Sequence, residues 1–325
     1  MFGWRKGLTG SVVVDAHLHL WDPHRARYDW LTDELAPLNR RIDLEEVADD
    51  LDAAGVDAVV LVQAADNDED TELMRATADE HPEVVAIVAY APLHEVERAR
   101  GRLDVLATDS RVVGVRNMIH NIPDPDWILR PDVGRGLAEL ERRGLTFDYV
   151  AELPRHLEHV PVLAERYPGL RIVIDHLGKP PIGGGDRQIW CESLARAAAF
   201  PNVYGKLSGL YPLERDPSQW SIDDLRPLVD HAFTVFGAER LMVGGDWPVS
   251  IRAGGYHRVW AAWEALLGER AADDRTLVRG ETARSFYRLD QHLLATAAAH
   301  SKAARNLPDA ASHDTMSPPS RKRTA

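Results

Sequence analysis

The sequence predicts an α/β fold with one domain, a (β/α)8 TIM barrel, and three observations support this prediction. Eight short segments rich in Val, Ile and Leu recur along the 325 residues, and longer amphipathic segments separate them. The near-continuous hydrophobicity of the short segments is typical of strands that are buried on both faces of a parallel sheet. No long linker divides the chain, and a single barrel of this class commonly fills about 250 residues.

The eight predicted strands alternate regularly with predicted helices. In chain order they are "VVVDAH" (12–17), "AVVLVQA" (58–64), "VVAIVAYAPL" (84–93), "RVVGVRNMI" (111–119), "LTFDYVA" (145–151), "RIVIDHL" (171–177), "NVYGKLSG" (202–209) and "RLMVGGDW" (240–247). Eight consecutive β–α units favour a closed barrel over an open doubly wound sheet. No glycine-rich phosphate loop follows the first strand, and we interpret "GGGD" at 183–186 as a flexible turn.

The helical segments have recognisable ends. In "DLEEVADDLDAAG", Asp43 is a candidate N-cap residue, and Glu46 stands three residues later, as a capping box requires. The segment ends at Gly55, where we expect glycine to supply a left-handed turn before the next strand. The same role is expected of the glycines that follow three other helical segments, which are Gly144, Gly169 and Gly237.

Two segments do not fit the barrel pattern. Residues 21–42 form a long first loop that is rich in Trp, Tyr and Arg. Residues 291–325 show no apolar periodicity and contain Pro, Ser and a basic tip, which is typical of a disordered terminus. We therefore expect a barrel domain over residues 1–290 and a disordered C-terminal tail over 291–325.

Composition excludes several classes of partner. A net charge of −13 disfavours binding to nucleic acids and to anionic membranes, because both depend on clustered Lys and Arg. Cys191 is the only cysteine, so an internal disulfide is impossible and a reducing compartment is expected. The short apolar run after the N-terminus meets Asp15 too early for a signal peptide or a membrane span. We predict a cytoplasmic protein without nucleic-acid or membrane partners.

Two histidines end the first predicted strand. His17 and His19 are two residues apart, so their side chains project to the same side of the strand. A pair of this kind is either hydrogen-bonded at a strand end or part of a metal or catalytic site, since neutral imidazole serves both metal binding and acid–base chemistry. The pair by itself does not separate these alternatives.

The other strand ends favour the catalytic interpretation. The active site of a (β/α)8 barrel lies at the C-terminal ends of its strands. Titratable residues follow five further predicted strands, and they are Arg116, Asp148, His176 with Lys179 just beyond it, Lys206 and Asp246. We expect these residues to converge with the two histidines at one rim of the barrel.

These residues and their surroundings resemble the amidohydrolase superfamily. The resemblance rests on "VVDAHLHLWDP", "GVRN", "IDHLGKPPI", "NVYGKLSGL" and "GAERLMVGGDWPVS" in this order, and it extends to "GETARSFYRL" at 280–289. Within the superfamily, the chain is most similar to the lactone hydrolases that act on sugar acids and related carboxylic acids. Two departures are Gly245, where many relatives have serine, and His120, near which relatives often have glutamine. The second leaves the identity of the lactone open.

The resemblance implies hydrolysis of a lactone with Asp246 as the general base that activates water. The oxyanion would be stabilised by positive or hydrogen-bonding neighbours or by a bound metal; the candidate side chains are His17, His19, His176 and Lys206. Arg116 would anchor a carboxylate or hydroxyl groups of the substrate, with a simple ion pair to Asp148 as the alternative. The remaining candidate substrate contacts are Asp148, Lys179 and His120, with Trp21, Tyr28 and Trp30 as a wall of the pocket or as the core of the first loop.

The resemblance does not settle the metal requirement. His17, His19, His176 and Asp246 satisfy the ligand chemistry of zinc, and one divalent ion, zinc or manganese, is compatible with the sequence. Some relatives hydrolyse lactones without a metal, and Asp148 stands where many metal-dependent relatives have histidine. We therefore expect that no metal is obligatory.

Two other functions compete with a lactonase. One is a metal-dependent decarboxylase of the same superfamily, which uses similar strand-end histidines and an aspartate. The other is a catalytically inactive barrel that acts as a binding protein, but this alternative predicts loss of the strand-end residues, and all of them are present. The expected partner is a small-molecule lactone, and a homo-oligomer is compatible with the sequence.

Overall fold

The computed structural model describes residues 11–183, 186–212, 216 and 218–306, which form a single barrel of eight parallel strands. The strands are β1 (Val14–Leu18), β2 (Ala58–Val62), β3 (Val84–Ala89), β4 (Val112–Arg116), β5 (Thr146–Val150), β6 (Ile172–Asp175), β7 (Val203–Leu207) and β8 (Leu241–Val243). Each predicted strand is present, although most are shorter than their apolar segments. The predicted fold class is confirmed.

The barrel closes between its first and last strands. Each strand pairs in parallel with the next one in the chain, from β1 to β8. Beyond the end of β8, Trp247 forms a parallel bridge with Leu18, and the backbone carbonyl of Trp247 accepts a hydrogen bond of 2.7 Å from the N–H of His19. The N–H of Asp246 donates to the carbonyl of His17 at 2.8 Å. Closure therefore brings His17, His19 and Asp246 together at one end of the barrel.

Helices surround the sheet and fill the predicted amphipathic segments. They are α1 (Ala48–Ala54), α2 (Asp68–Glu80), α3 (Val96–Leu106), α4 (Pro131–Arg143), α5 (Pro154–Arg166), α6 (Gln188–Ala198), α7 (Ile222–Phe236), α8 (Tyr256–Gly268), α9 (Ala272–Thr276), α10 (Thr282–Tyr287) and α11 (Gln291–Arg305). Alternate strand residues divide the core into two layers: Val60 and Val62 face the barrel interior, whereas Val59 and Leu61 pack toward the helices. No helix of the described residues has the length and apolar character needed to cross a membrane.

Most of the predicted helix ends are correct. The capping box between Asp43 and Glu46 is present, and it precedes a 3-10 turn that leads into α1. Positive φ angles follow three helices at the expected glycines, which are Gly55, Gly144 and Gly237. The prediction is wrong at Gly169, because α5 ends three residues earlier and the backbone leaves the helix at Tyr167 without a left-handed glycine. Of "GGGD" at 183–186, Gly184 and Gly185 lie outside the described residues.

The prediction of a disordered tail from residue 291 is wrong for its first half. Helix α11 begins after Asp290, whose side chain caps it, and it buries the small seam formed by Leu294, Ala297 and Ser301. The Ser301 hydroxyl donates to the backbone carbonyl of Asp57, just before β2, at 3.2 Å. Residues 307–325 lie outside the described residues. The helix was missed because alanine and serine give almost no hydrophobic signal.

Helix α10 lies across the N-terminal ends of the strands. A Cβ atom added to Gly280, just before α10, would lie 2.1 Å from the backbone carbonyl oxygen of Val12, so this segment contacts the beginning of β1 closely. The guanidinium of Arg171, which precedes β6, donates to the carbonyl of Phe286. The side chain of Tyr287 extends from α10 into the barrel, where its hydroxyl donates to Asp148 Oδ2 at 2.7 Å. The barrel interior is therefore supported from the end opposite to the paired histidines.

Candidate active site

The two imidazoles at the end of β1 contact each other. The Nε2 atoms of His17 and His19 are 3.0 Å apart, and both rings are buried. His19 Nδ1 lies 2.7 Å from the backbone carbonyl of Val62. Because a carbonyl oxygen only accepts hydrogen bonds, Nδ1 carries the proton, and in neutral His19 the lone pair of Nε2 points into the site. Burial and the nearby Lys206 ammonium lower the pKa of His17 well below its usual value.

Asp246 faces this pair from the loop after β8. Its Oδ1 lies 3.5 Å from His19 Nε2 and 3.7 Å from His17 Nε2, while its Oδ2 accepts a hydrogen bond from the hydroxyl of Tyr211. Burial opposes ionisation of Asp246, but His176, together with His17 and His19, holds its pKa below the usual range. The carboxylate is therefore ionised at neutral pH, and its Oδ1 is directed at the imidazoles.

Asp15 connects the two chain segments that carry these groups. Its Oδ1 accepts hydrogen bonds from the N–H of His17 at 2.9 Å and from the N–H of Gly245 at 3.0 Å. Tyr256 donates to Oδ2 of the same carboxylate at 2.9 Å. A Cβ atom at position 245 would lie 2.2 Å from the Tyr256 ring and 2.7 Å from Asp15 Oδ2. This crowding explains why glycine occupies position 245 in this chain.

His176 approaches the site from a 3-10 turn after β6. Its backbone has a φ of +54°, and its Nδ1 lies 3.0 Å from the hydroxyl of Ser208. Burial lowers the pKa of His176 to about 4, so the ring is neutral at physiological pH. Gly209, with a φ of +56°, passes so close that a Cβ atom there would lie 2.4 Å from His176 Nδ1 and 2.8 Å from Asp246 Oδ2. Only glycine fits between the imidazole and the carboxylate.

Lys206 and Asp148 lie inside the barrel rather than at its rim, where the sequence placed them. Both side chains are fully buried, and Lys206 Nζ lies 2.5 Å from Asp148 Oδ2 and 3.1 Å from Asp175 Oδ1. Nζ also lies 3.1 Å from Nδ1 of His17. The direct roles in oxyanion stabilisation and substrate binding stay predictions; what the structure shows for both side chains is a set of buried ion pairs. Lys206 contacts the inner nitrogen of His17, and Asp148 contacts Lys206.

The two buried carboxylates differ in their electrostatic surroundings. Burial raises the pKa of Asp148 to about 6, although the Lys206 ammonium and the Tyr287 hydroxyl counteract this shift. Burial acts on Asp175 in the same direction, but Lys206, His17 and Arg116 outweigh it and hold the pKa well below the usual range. Asp175 is therefore the permanent counter-ion of the interior.

Arg116 joins the interior to the site. Its Nη1 lies 3.0 Å from Asp175 Oδ2 and 3.3 Å from Nε2 of His17. The alternative to substrate binding, an ion pair with Asp148, is therefore wrong as to the partner. The two residues are register neighbours on β4 and β5, but the guanidinium turns toward β6. Its Nε is buried without a hydrogen-bond partner among the described residues. One edge of the guanidinium therefore remains available to an acceptor.

Two cavities border the site. The first, about 900 Å3 in volume, lies under the first loop and is lined by Tyr28, Trp30 and Met118 among others. Trp21 does not line it; the ring is fully buried and packs edge-on against Trp30 at 5.1 Å, so it belongs to the core of the loop. Tyr28 donates to Asp70 at 2.8 Å, which anchors the loop beside β2.

The second cavity, about 870 Å3 in volume, lies over the ends of β5, β6 and β7 and includes Lys179 in its wall. His120 is half-buried, and its Nδ1 has no hydrogen-bond partner among the described residues. Burial and the positive charges of Arg116 and Lys179 lower the pKa of His120 to about 3. The neutral imidazole is therefore available for hydrogen bonding near this face.

Three donors could hold a metal ion. Ligand atoms of His17, His19 and Asp246 lie within 4.8 Å of one another. Two imidazoles and a carboxylate fit a catalytic zinc site, which keeps a fourth position open. The fit requires His17 to carry its proton on Nδ1, where Asp175 Oδ1 lies 3.4 Å away, so that the lone pairs of both Nε2 atoms face the carboxylate. His176 is not part of this three-donor set.

The structure adds residues that the sequence analysis missed. Asp175 ends a strand of Ile and Val. An acidic residue in such an apolar strand indicates a buried ion pair, so the sequence alone could have predicted this one. Tyr211, Tyr287 and Ser208 gave no comparable signal, since loop and helix tyrosines are common and a serine after a strand is ordinary. Their contacts depend on chain segments far apart in the sequence.

Comparison with known proteins identifies relatives of the whole barrel. The amidohydrolase family profile matches residues 14–289. An L-fucono-1,5-lactonase from Burkholderia ambifaria is 35% identical over 282 residues, which cover 86% of this chain and 96% of that protein. The family match includes every strand and all the strand-end residues described above.

Solved structures give the same result. An amidohydrolase from Burkholderia multivorans, crystallised with bound zinc, is 27% identical with a TM-score of 0.78, and the match covers 86% of this chain and 100% of that one. A Pseudomonas putida protein assigned as a 2-pyrone-4,6-dicarboxylic acid hydrolase is 25% identical with a TM-score of 0.67, covering 86% and 98%.

Proposed function

The chain belongs to the amidohydrolase family, and we propose that it hydrolyses the lactone of a sugar acid or related carboxylic acid. The chain is thus a hydrolase that cleaves an intramolecular ester bond. The observation that supports this reaction best is the ionised carboxylate of Asp246, one oxygen of which faces the imidazoles of His17 and His19. The similarity to an L-fucono-1,5-lactonase at 35% identity supports the same bond type.

In the first step Asp246 acts as general base. Tyr211 occupies Oδ2, so Oδ1 is the oxygen that accepts a proton from water. The lone pair of His19 Nε2, fixed by the contact of Nδ1 with Val62, accepts the second proton of that water in a hydrogen bond. Water held by these two acceptors is oriented with its oxygen toward a carbonyl carbon, and its hydroxide attacks the lactone.

In the second step the oxyanion needs donors. Nη1 of Arg116 lies 3.3 Å from Nε2 of His17, and the unpartnered Nε–H of the same guanidinium suits a developing negative charge or a substrate oxygen. The tetrahedral intermediate then collapses, the ring C–O bond breaks, and the departing alkoxide takes the proton that Asp246 had accepted. Asp246 returns to its ionised form, and the product is a hydroxy acid.

A divalent ion held by His17, His19 and Asp246 would polarise the carbonyl and lower the pKa of the attacking water. The residues beneath act on the position of His17 whether or not an ion is bound. Lys206 and Asp175 contact Nδ1 of His17 and fix its ring plane, and Tyr287 holds Asp148 against Lys206 from the opposite end of the barrel. We propose that these four are positioning residues and that Lys179 and His120 contact the substrate.

The competing functions find less support. A decarboxylase of this superfamily would need similar strand-end histidines, but the 35% identical relative is a lactonase. A non-catalytic barrel would have no reason to bury Asp246 in ionised form beside the imidazoles of His17 and His19. We further propose that the barrel domain acts alone on a small molecule in the cytoplasm, in line with its single cysteine and acidic charge.

The test is hydrolysis of a panel of lactones by purified protein, followed by proton release and by mass analysis of the product. The panel contains sugar-acid δ- and γ-lactones and dicarboxylate pyrone lactones. Substituted benzoic acids are included as possible substrates of a decarboxylase. We expect a hydroxy acid from at least one lactone and no carbon dioxide from the benzoates. Decarboxylation without lactone hydrolysis would refute the proposal.

A further inference from the structure

The cavity over the ends of β5, β6 and β7 has an apolar wall. Its lining includes Leu153, Pro154, Leu157, Pro181, Ile182, Ile189 and Trp190. A binding site built to hold a sugar lactone alone would be expected to present hydroxyls, amides and charges along its length. Here most of the lining offers aliphatic and aromatic carbon, and the polar side chains in it are Glu152, Lys179, Asp186, Ser193 and Tyr211.

Two of these side chains are unusually exposed. Leu153 is 49% and Ile189 is 58% accessible to solvent, and both belong to the small group of large apolar side chains that the described residues leave exposed. They come from different segments: Leu153 directly precedes α5, whereas Ile189 lies in the first turn of α6. Exposed apolar side chains that converge on one cavity from separate segments indicate a surface that a ligand covers.

Two residues of the cavity wall contact the proposed base. Gly209 and Tyr211 line the cavity, and the same two residues contact the catalytic group: Gly209 passes His176 and Asp246 too closely for a side chain, and Tyr211 donates to Asp246 Oδ2. A molecule whose ester carbonyl lies beside Asp246 would therefore extend its remaining atoms past Tyr211 toward Leu153 and Ile189.

Charge at the cavity wall disfavours an anionic occupant. The charged lining residues are Glu152, Asp186 and Lys179, so that two carboxylates stand against one ammonium. An anionic substituent would meet net repulsion, while an apolar one would bury carbon against the apolar part of the wall. The volume of about 870 Å3 is within the range of sites for small organic molecules.

From these observations we infer that the substrate is a lactone with an apolar alkyl or aryl substituent, which the cavity between Leu153 and Ile189 binds. This inference rests on the proposed lactonase function and narrows its substrate class. The substituent adds binding energy at a distance from the ester, and this energy raises kcat/KM without new chemistry at Asp246. Each methylene fully buried should raise kcat/KM by about fourfold.

The test compares δ-valerolactone with δ-decalactone, which adds an unbranched alkyl chain at the ring carbon bonded to oxygen. The reacting ester is the same in both, so the ratio of their kcat/KM values measures the contribution of the substituent. We expect δ-decalactone to be favoured by more than about tenfold, since burial of three methylenes would already exceed this value.

Variants of the exposed residues locate the effect. Leu153→Asn and Ile189→Asn change side chains that are half exposed, so they should not prevent folding. Each should lower the ratio at least threefold, and the double variant should bring it close to one. Val105→Asn is the matched control, because Val105 is 50% exposed on α3, away from the cavity, and its ratio should equal that of the wild type.

Other outcomes would overturn the inference and leave the lactonase function in place. One is a wild-type ratio near one; another is hydrolysis of sugar-acid lactones without either simple lactone. If the wild-type ratio is near one and the Leu153 and Ile189 variants dissociate an oligomer, this face is an interface between copies of the chain instead. If no lactone of any kind is hydrolysed, the proposed function itself fails.

Discussion

Two groups of buried ionisable residues contact opposite sides of the His17 ring, and they differ in whether a polar atom remains available to water. The outer group, formed by His19, His176 and Asp246, surrounds the outer side of the His17 ring at the strand ends, and Asp246 contacts Tyr211 in the wall of a cavity. The inner group, formed by Lys206, Asp148 and Asp175, meets Nδ1 inside the barrel and is fully buried.

The difference shows how one imidazole can serve both structure and chemistry. Inside the barrel, each carboxylate contacts the Lys206 ammonium, and the desolvation of these charges is offset by their mutual attraction. At the strand ends, Asp246 Oδ1 lies too far from the imidazoles for a strong hydrogen bond and is available to water. The inner group should therefore determine stability, and the outer group should determine rate.

Replacing the base should produce the largest change in rate. We expect Asp246→Asn to lower kcat by about 10²–10⁴-fold, because an amide cannot accept a proton from water at neutral pH. Tyr211 can still donate to the amide oxygen, so the thermal transition should move far less than in a variant of the inner group. The check is kcat by proton release with Tm on the same sample. Retention of more than about a tenth of the wild-type kcat would exclude Asp246 as the base.

Removing the Lys206 ammonium should have the opposite result, a large loss of stability. Lys206→Met keeps the length of the side chain but leaves Asp148 and Asp175 without their ammonium, which should cost about 3–5 kcal/mol in the free energy of unfolding. Chemical denaturation measures this value. A loss below about 1 kcal/mol with a large loss of kcat would mean that Lys206 acts on the substrate directly and that the distinction between the groups is wrong.

The next largest effect is expected from removing the hydrogen bond that Tyr211 donates to Asp246 Oδ2. Tyr211→Phe should lower kcat roughly tenfold with little change in KM, because a hydrogen bond to a charged group is lost but the ring remains in the cavity wall. Tyr167→Phe is the matched control: Tyr167 donates to the carbonyl of Gly134 outside the barrel at 2.9 Å, so its loss should affect Tm but not kcat. Equal kcat effects in both variants would show that the Tyr211 effect is general destabilisation.

The smallest effect is expected at Arg116, which contacts both groups. Arg116→Lys should raise KM several-fold and lower kcat less, because a point charge can keep the ion pair with Asp175 but cannot also present a second N–H to the substrate. Steady-state kinetics with the best lactone of the panel separates the two parameters. An unchanged KM with a lower Tm would assign Arg116 to the inner group alone.

The two groups also differ in how far the sequence predicted them. His17, His19 and Asp246 were found because they follow apolar strands, and strand order alone brings them to one end of a barrel. The phase of the side chains was not predictable: Lys206 and Asp148 follow the same pattern, but pleat and register turn them inward. Tyr287 was beyond reach because nothing in its helix indicates that its hydroxyl enters the barrel.

The same limits apply to the fold. Eight strands were recognisable from their Val and Ile content, since burial on both faces leaves a strong signal. Helix α11 was not recognisable, because its buried seam of Leu294, Ala297 and Ser301 has the spacing of a helix but little hydrophobicity. A prediction from apolar periodicity fails where small residues form the contact.

The central claim is that Asp246 activates water rather than attacking the lactone itself. A single turnover in water labelled with heavy oxygen, with enzyme in excess over substrate, tests it most directly. The account predicts that the heavy oxygen enters the carboxylate of the product in that first turnover and that the peptide containing Asp246 stays unlabelled. An unlabelled product, with heavy oxygen in the side chain of Asp246, would show that Asp246 forms an anhydride with the opened lactone and that water attacks the Asp246 carbonyl, and this result would contradict the account.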